Sequence, residues 1–371
     1  MNLIVISEPE LVLEKGTRNS ALNDILGFYL QFNRTVTYCS PGHSVLDFDV
    51  CGVRYCSLSR YTKSNRFIFW EIFSIRKKFR AILKEYNDVH VQFRLPSLYT
   101  MQIYFLVKDL IPKRKVSFYI AGDWQESLKF NYPDKIYLSK ILPIIQNNII
   151  KDGVCVFTGS RLLEKNIQKV HRGFSFYSTT HSKTDIPLAV SDKSQCLSVC
   201  FIGRIEKLKN FTFFIELAKT KDLVKKYHFH MLGDGPEFSS VRKYIDKSNL
   251  INITMHGHVD DKSQFNDIVA KCKYFVLPSY TEGTSKTLPE MMCRSTIPIA
   301  FENVGSNNDI LKSGNGYLAS VDDLNAVINF INQVDQDEQR YLTILESGIA
   351  YADEYCIENQ LTSMFSFLYA N

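Results

Sequence analysis

The chain alternates short apolar runs with longer amphipathic stretches. In its first half, the apolar runs have the length of buried strands and the stretches between them have helical periodicity. Strands that alternate with helices are typical of a parallel sheet with right-handed crossovers, so we predict an α/β fold. The predicted strands are residues 3–6, 35–39, 89–93, 116–121 and 154–158, and the predicted helices are residues 19–32, 66–84 and 99–110 and a stretch from Ser160.

A second α/β series follows a polar stretch, residues 173–193, which we interpret as an interdomain linker. A chain of 371 residues is long enough for two separate cores. We predict domains at residues 1–188 and 189–352 and a C-terminal helical segment at residues 353–371. The predicted strands of the second series are residues 197–202, 228–232, 252–255, 274–277, 297–300 and 317–318, and its helices are residues 211–226, 261–271, 324–334, 337–346 and 353–369.

Composition excludes several classes of protein. A net charge of +5 is weak evidence for a nucleic-acid partner, and it fits anionic substrates or an anionic membrane surface equally well. Nine cysteines, an odd number without a C-x-x-C pair, argue against a disulfide framework or a zinc knuckle and favour the reducing cytosol. The first residues lack the basic start of a signal peptide, and no apolar run reaches 18 residues. We therefore expect a cytoplasmic protein that does not span a membrane.

Two glutamates eight positions apart stand where a ligand would lie. Glu282 follows the predicted strand at residues 274–277, and Glu290 lies in the first turns of the helix that comes next. In an open parallel sheet, ligands bind outside the carboxyl ends of the strands. Ionised carboxylates are strong acceptors for hydroxyl donors, so this segment predicts a hydroxyl-rich ligand.

A basic loop follows the first strand of the second series. Gly203 permits a tight turn beside a ligand, Arg204 offers a forked donor, and Lys209 offers a mobile point charge. Such a loop can neutralise a diphosphate at a helix start. The alternative is an ordinary solvated basic loop, and the loop alone does not decide between the two.

Four segments in order then resemble one family. They are G-R-x-x-x-x-K-N from Gly203, G-D-G-P from Gly233, H-G-H from His256, and P-S-x-x-E-G-x-x-K-x-L-x-E-M-M from Pro278. Together they resemble the donor-binding half of the retaining glycosyltransferases of family 4 (glycosyl transferases group 1). These enzymes have the GT-B fold, in which two Rossmann-like domains face a cleft and a C-terminal helix crosses back to the N-terminal domain.

The resemblance implies a nucleoside-diphosphate sugar as donor. Arg204 and Lys209 would hold the diphosphate and assist catalysis, Glu290 would accept hydrogen bonds from the ribose, and Glu282 would face the sugar. Whether Glu282 only positions the sugar or also takes part in bond making stays open. The implied donor site also includes these residues: Gly203, Gly233, His256, Gly257, Gly283, Thr284 and Ser285.

The resemblance also implies chemistry without a metal or another cofactor. Arg204 and Lys209 can neutralise the leaving nucleoside diphosphate in place of a divalent cation. Asp47-Phe48-Asp49 has the D-x-D form of metal-dependent transferases. We favour the alternative for this segment, a strand with alternating exposed acids.

The first half resembles the family more loosely. His90 and Arg94, on or just after a predicted strand, and Asp123, after the next, are candidates for the cleft, with His90 also a catalytic candidate. Lys15 and Gly16 are candidates for a loop near the donor phosphate. For His90 the alternative is a satisfied core histidine, and for Lys15 and Gly16 it is a simple surface loop.

Bases and aromatic residues are interleaved between Arg66 and Arg80. This pattern fits a helix at an anionic membrane surface, with aromatic rings in the interface and bases on the lipid headgroups. The alternative is an amphipathic helix packed on the first sheet. We hypothesise peripheral contact with the inner face of the plasma membrane, because acceptors in the family are often lipid-linked.

The sequence therefore predicts a retaining, metal-independent hexosyltransferase. It would move a sugar from a nucleotide sugar to a glycan or a polyprenyl-linked oligosaccharide, in bacterial surface polysaccharide biosynthesis such as capsule or O-antigen. A sugar-nucleotide epimerase on the same fold is one alternative, and it would show an acid/base set and no acceptor groove. A non-catalytic glycan-binding scaffold is another, which the intact charged residues of the donor loops argue against.

Overall fold

The computed structural model describes residues 1–42, 47–60, 71–131 and 135–370. The chain forms two units. The first unit is Met1–Thr180 together with Ile357–Asn371, and the second is His181–Cys356. The predicted α/β class is confirmed in both units, because each is built on a largely parallel sheet between helices.

The first unit contains an eight-stranded sheet, counted over the described residues, in the order β10-β9-β8-β7-β1-β4-β6-β5. Neighbouring strands are parallel except β5, which runs antiparallel to β6, and a small hairpin of β2 and β3 follows β1. The strands are β1 Asn2–Ile6, β2 Leu11–Val12, β3 Gly16–Thr17, β4 Thr35–Gly42, β5 Asp47–Val50, β6 Val53–Arg60, β7 Val89–Leu95, β8 Val116–Ile120, β9 Val154–Thr158 and β10 Gly173–Phe176. The helices are α1 Ser20–Tyr29, α2 Ile72–Lys84, α3 Leu98–Val107, α4 Trp124–Asn131, α5 Leu138–Ile149 and α6 Ser160–Asn166.

The second unit contains a sheet whose described strands are all parallel, in the order β13-β12-β11-β14-β15-β16. The central strands β11, β14 and β15 are buried on both faces, as expected for a parallel sheet covered by helices. Its strands are β11 Ser198–Ile202, β12 His228–Leu232, β13 Ile253–Gly257, β14 Tyr274–Leu277, β15 Ile297–Phe301 and β16 Tyr317–Ala319. Its helices are α7 Phe211–Lys219, α8 Phe238–Lys247, α9 Lys262–Ala270, α10 Thr287–Met292, α11 Asn307–Ile310, α12 Leu324–Gln336 and α13 Glu338–Glu354.

The last helix, α14 (Ile357–Tyr369), belongs to the first unit. Its apolar face buries Ile357, Leu361, Phe365 and Leu368, at the spacing of one helical stripe. This stripe joins α1 in the core on one face of the first sheet, where Tyr29 and Phe365 meet edge to face at 5.0 Å.

Several predicted boundaries need correction. Residues 173–176, assigned to the linker, form β10, because Phe176 is buried and Phe174 stacks on Phe367 of α14. Helix α7 ends at Lys219, seven residues before its predicted end, and the Thr220 hydroxyl caps it by donating to the Leu217 carbonyl. The sequence pattern did not predict β6, α5 or α8.

Candidate functional site

The carboxyl ends of the second sheet converge on one crevice. From β11 the chain proceeds to β12 and β13 on one side and then returns to β14 on the other side of β11. The loops after β11 and β14 therefore diverge at the point where the strand order reverses, which is where ligands bind in open α/β sheets. Arg204 and Lys209 lie in the first of these loops, and Glu282 lies in the second.

Backbone hydrogen bonds tie the loops after β11 and β12 together. The Gly203 amide donates to the Leu232 carbonyl, and the Ile205 amide donates to the Asp234 carbonyl. Gly233 has a φ of +135°, and a Cβ atom there would lie 2.0 Å from the Gly203 carbonyl oxygen. Only glycine permits this close approach, so the G-D-G-P segment shapes the loop that carries Arg204.

An ion pair crosses the crevice. Lys209 Nζ lies 2.6 Å from Glu282 Oε1, and both side chains are largely buried. An ammonium has three donors, so Lys209 can hold Glu282 and still present hydrogen atoms to an anion. The structure thus brings together two residues that the sequence assigned to adjacent parts of a donor, Lys209 to the diphosphate and Glu282 to the sugar.

Arg204 is placed differently. Its side chain is 69% exposed, and the carboxylate of Glu206 lies 3.7 Å away. The guanidinium is therefore free to swing toward a phosphate, at the cost of a weak surface contact.

Glu290 lies in the first turn of α10, directly after Pro289, which agrees with the helix start that this proline predicts. Burial raises the pKa of Glu290 to about 7, while the positive charges of Arg294 and Lys286 act in the opposite direction. Arg294 also donates to the Glu290 carbonyl at 2.8 Å, which anchors this turn. Glu290 is thus poised between protonated and ionised forms near neutral pH, and a hydroxyl donor would favour the ionised form.

The loop between Glu282 and α10 is held in place by the loop that follows β15. The Ser306 amide donates to the Gly283 carbonyl, and Ser285 Oγ donates to Asn307 Oδ1 at 2.6 Å. Gly305 has a φ of +51°, and a Cβ atom there would lie 2.5 Å from the Gly283 carbonyl oxygen. Sequence reasoning missed this support, although Gly305-Ser306 just after a strand is a recognisable signal.

Thr284 adds a hydroxyl to the same loop. Its Oγ1 is buried and has no hydrogen-bond partner in the described chain. Together with the amides beside it, this hydroxyl is available to a polar ligand.

His256 and Gly257 lie within β13 and not in the loop after it, because β13 extends two residues beyond the predicted end. His256 Nε2 is 3.0 Å from His230 Nδ1, and the Gly257 carbonyl accepts from the Gly233 amide. Burial lowers the pKa of both imidazoles, to about 4 for His230. These two imidazoles are therefore neutral at physiological pH.

In the first unit, Arg94 and Asp123 lie at the carboxyl ends of β7 and β8, as strand polarity predicts. Asp123 pairs with Lys165 of α6 and accepts from the Gln125 amide. Lys15 is exposed in the turn of the β2–β3 hairpin, whereas Gly16 is buried against the Tyr55 ring.

The placement of His90 requires a correction. It is the second residue of β7, near the amino end of the strand, and it is 2% exposed. Its Nε2 is 2.8 Å from Ser117 Oγ, its ring packs against Tyr369, and burial lowers its pKa to about 4. This is the satisfied core histidine of the alternative interpretation, and we assign it no catalytic role.

Two further predictions concern acids and membranes. Asp47-Phe48-Asp49 forms strand β5, and Asp47 pairs with Arg54 at 2.6 Å, which confirms the strand interpretation. Among the described residues, no group of three or more His, Cys, Asp or Glu side chains is arranged to hold a metal ion. No helix in the described part of the chain is long and apolar enough to cross a membrane.

Comparison with known sequences identifies the second unit. Residues 191–349 match the model of the family "Glycosyl transferases group 1". A curated relative, an uncharacterised glycosyltransferase of Methanocaldococcus jannaschii, is 26% identical over 162 residues, which are 43% of this chain and 44% of that protein. The aligned part of this chain thus spans less than half of the length of that relative.

Comparison with solved structures covers both units. Sucrose-phosphate synthase from Thermosynechococcus elongatus superposes with a TM-score of 0.74 at 13% identity, over 98% of each chain. Anabaena HepE in complex with UDP superposes with a TM-score of 0.71 at 14% identity, over 99% of this chain and 100% of that chain. The lipopolysaccharide outer core galactosyltransferase WaaB superposes with a TM-score of 0.68 at 14% identity, over 100% and 99%. The second unit therefore matches the model of the glycosyl transferases group 1 family, and the chain as a whole has the GT-B fold.

Proposed function

We propose that the protein is a retaining glycosyltransferase that moves a sugar from a nucleoside diphosphate to a glycan or a lipid-linked acceptor, without a metal ion. The observation that carries this proposal is the Lys209–Glu282 pair at the switch point of a group 1 domain, with Glu290 in the helix just beyond it. A cation, a sugar-facing carboxylate and a ribose-facing carboxylate then follow one another along one crevice.

In this proposal Lys209 and Arg204 bind the negatively charged diphosphate of the donor. The bond between the anomeric carbon and the phosphate oxygen breaks, and negative charge develops on the leaving diphosphate. Lys209, held by Glu282, and Arg204, which is free to swing, stabilise that charge in the transition state. The new bond forms between the anomeric carbon and an acceptor hydroxyl on the same face, and the acceptor proton passes to the leaving phosphate oxygen.

Glu290 supplies affinity for the nucleoside. Its ionised carboxylate accepts from the ribose hydroxyls, and burial strengthens these charge-assisted hydrogen bonds. Glu282 orients the sugar through its second oxygen while the first holds Lys209.

The comparisons support this choice of substrates. Anabaena HepE has been solved with UDP, with UDP and glucose, and with UDP-glucose. We take uridine diphosphate as the first nucleotide to test. WaaB is a lipopolysaccharide outer core galactosyltransferase, which supports a role in bacterial surface polysaccharide.

Peripheral membrane contact forms a further part of the proposal. Helix α2 buries Ile75, Phe79 and Ile82 and turns Phe73, which is 88% exposed, toward solvent together with Lys77. Arg80 is exposed as well, whereas Arg76 is paired with Asp109 at 2.7 Å. Residues 66–70 of the predicted membrane segment lie outside the described residues.

Co-sedimentation with anionic vesicles tests the membrane contact. A Phe73→Ser/Lys77→Glu/Arg80→Glu variant is compared with a variant of the same charge change on another exposed helix, Lys243→Glu/Lys247→Glu on α8. We expect binding to fall only in the α2 variant. Equal binding in both variants would exclude α2 as the contact.

Nucleotide binding tests the donor site. Melting curves are recorded with UDP, GDP, ADP and CMP in the presence of EDTA, because a ligand that binds only the native state raises its stability. We expect one nucleoside diphosphate to raise the melting temperature of the wild type and to do so less in Glu290→Ala. If no nucleotide stabilises the protein, the donor assignment is wrong.

Product analysis tests the reaction. A sugar donor that carries the stabilising nucleoside diphosphate is incubated with acceptors, and the anomeric configuration of the product is read by NMR. Retention supports the proposal, and inversion contradicts it. Conversion of the sugar nucleotide to an epimer without any acceptor would favour the epimerase alternative.

A further inference from the structure

Arg94 occupies the switch point of the first sheet. Strand β1 lies between β4 on one side and β7 on the other, so the loops after β1 and β7 diverge at the carboxyl edge. Arg94 is the penultimate residue of β7, at this edge. The crevice is the counterpart, in the first unit, of the one that holds Lys209 and Glu282 in the second.

No carboxylate in the described part of the chain neutralises Arg94. In the described chain it makes no ion pair, and its Nη1 is buried without a hydrogen-bond partner. Glu10, the buried acid in the loop after β1, is paired instead with Arg18 at 2.9 Å. Withdrawing a guanidinium from water without a counter-ion costs free energy. Binding of an anion beside Arg94 would therefore be favourable.

Aromatic packing orients the guanidinium. Its carbon lies 4.1 Å from the centroid of the Tyr119 ring, which stands beside Arg94 in the strand register. Such stacking holds the planar fork in one orientation but does not neutralise its charge.

Further donors on the same face of the sheet lack partners. The amide nitrogen of Gln92, two residues before Arg94 and wholly buried, has none, and neither has the Tyr29 hydroxyl in the described chain. Burial raises the pKa of Tyr29 and of Tyr38, so both phenols keep their protons. The Tyr38 hydroxyl donates to the Pro9 carbonyl at 3.4 Å, a long bond that a closer anion can replace. An arginine, an amide and two phenols form a donor-rich group, which is the composition of an anion site.

We propose that Arg94, with Tyr29, Tyr38 and Gln92 around it, forms a subsite for an anionic group of the acceptor, a phosphate or a carboxylate. The inference rests on the proposed function, since it assigns an acceptor class to a glycosyltransferase. A neutral hydroxyl would satisfy single donors and leave the Arg94 charge uncompensated. A bidentate oxyanion satisfies two donors of the fork and its charge together.

The test is a titration with small anions. It uses the Arg204→Ala/Lys209→Ala double variant, so that phosphate cannot report on the second unit. Melting temperatures are followed with sodium phosphate, sodium glucuronate and, as the reference at equal ionic strength, sodium chloride. The phosphate and glucuronate arms distinguish a phosphorylated acceptor from an acidic sugar.

We expect one of the two anions to stabilise the protein beyond chloride, and Arg94→Met to weaken that anion about tenfold or more, as loss of a bidentate charged pair predicts. Arg172→Met is the matched control. Arg172 stacks on Phe367 at 5.1 Å in the same unit but is exposed and bonded to backbone carbonyls. The anion response should be unchanged in this control.

The opposite results overturn the inference. If neither anion exceeds chloride, or if Arg94→Met responds like the parent, Arg94 only packs. Should Arg94→Met fail to fold, Arg94→Lys decides, because it keeps the charge and loses the fork. The anion affinity should then fall several-fold, and an unchanged affinity would contradict the subsite.

These outcomes are separate from those of the donor test. If the wild type binds UDP but the double variant shows no anion response, the proposed function is retained and this subsite is rejected. If the double variant responds to anions through Arg94 but the wild type binds no nucleotide, the proposed function is rejected and the anion site is retained.

Discussion

The two units place a cation at the same topological point by different means. In the second unit, an ion pair with Glu282 holds Lys209. In the first, the ring of Tyr119 holds Arg94, and no carboxylate pairs with it among the described residues. An ion pair keeps a cation in place until a stronger anion competes for it, whereas a stacked, unpaired guanidinium awaits an anion from the ligand. In the second unit a carboxylate of the protein neutralises the cation, whereas in the first unit we expect an anionic group of the ligand to neutralise it.

Among these predictions, replacement of Lys209 should have the largest effect, and that effect is on kcat. We expect Lys209→Ala to lower kcat by roughly 10²- to 10³-fold, the loss typical when one group that stabilises transition-state charge is removed. Steady-state kinetics measures this loss, with the sugar donor of the nucleotide that stabilises the protein in the melting curves. Lys207→Ala, an exposed lysine of the same loop, is the control and should change kcat little. A similar loss in both variants would mean that general basicity, not the pair with Glu282, matters.

Gly233→Ala should break the loop geometry of the second unit. The new Cβ would lie 2.0 Å from the Gly203 carbonyl oxygen at a φ of +135°, so we expect a cost on the order of 1–3 kcal/mol or more and a melting temperature several degrees lower. Gly27→Ala in α1 of the first unit is the control. A Cβ at Gly27 meets nothing within 4 Å, and the change should stabilise by up to about 1 kcal/mol. Equal melting temperatures in the two variants would contradict the close packing at Gly233.

The pH dependence of donor binding tests Glu290. Its pKa is about 7 in the free protein, so ionised Glu290 rises from about one tenth at pH 6 to about nine tenths at pH 8. If the ribose requires the ionised form, affinity for a nucleotide sugar should rise about tenfold over this range in titration calorimetry. The phosphates of a nucleotide sugar stay ionised throughout, so they add no pH dependence. Glu290→Gln should show a flat profile, and a flat wild-type profile would argue against the ribose role.

The same shift makes a stability prediction with a defined sign. The folded-state pKa of about 7 exceeds the ordinary value of 4.5, so the folded state binds the Glu290 proton more tightly than the unfolded state does. The stabilising contribution of Glu290 to the free energy of unfolding is therefore full below about pH 4.5 and is lost as pH rises through about 7. Glu290→Gln should therefore be more stable relative to the wild type at pH 8 than at pH 5. Urea unfolding at the two pH values measures it.

Replacement of Asn210 should have the smallest effect, a modest loss of folding stability. It has a φ of +48°, caps α7 and donates to Asp322 at 2.9 Å. We expect Asn210→Ala to cost about 1–2 kcal/mol, because it removes the cap and keeps the left-handed backbone. Asn210→Gly relieves the backbone strain and should cost less. Urea unfolding distinguishes the two, and the opposite order would mean that backbone strain is unimportant here.

Sequence reasoning succeeded where local pattern and chain polarity were enough. Short apolar runs located most strands, and strand polarity placed Arg94 and Asp123 at a carboxyl edge. Local pattern failed at β10, whose Phe174 and Phe176 became strand residues only because α14 and the sheet cover them.

His90 shows why the remaining assignments required the fold. A histidine on a strand looks the same in sequence whether it lies in a crevice or in a core. The packing of Tyr369, 279 residues later, and the bond to Ser117 place it in the core. The support from Gly305 and Ser306 was missed for the same reason, since it depends on a loop from another strand.

The sequence by itself determined the α/β class, the order of the loops at the carboxyl edge of the second sheet, and the residue types that suit a nucleotide sugar. These follow from periodicity and strand direction, which are properties of short segments. Only the tertiary structure decided that Lys209 pairs with Glu282, that burial raises the pKa of Glu290, and that Arg94 has no counter-ion in the described chain. Charge pairing and desolvation depend on atoms brought together from distant parts of the chain, and no local pattern encodes them.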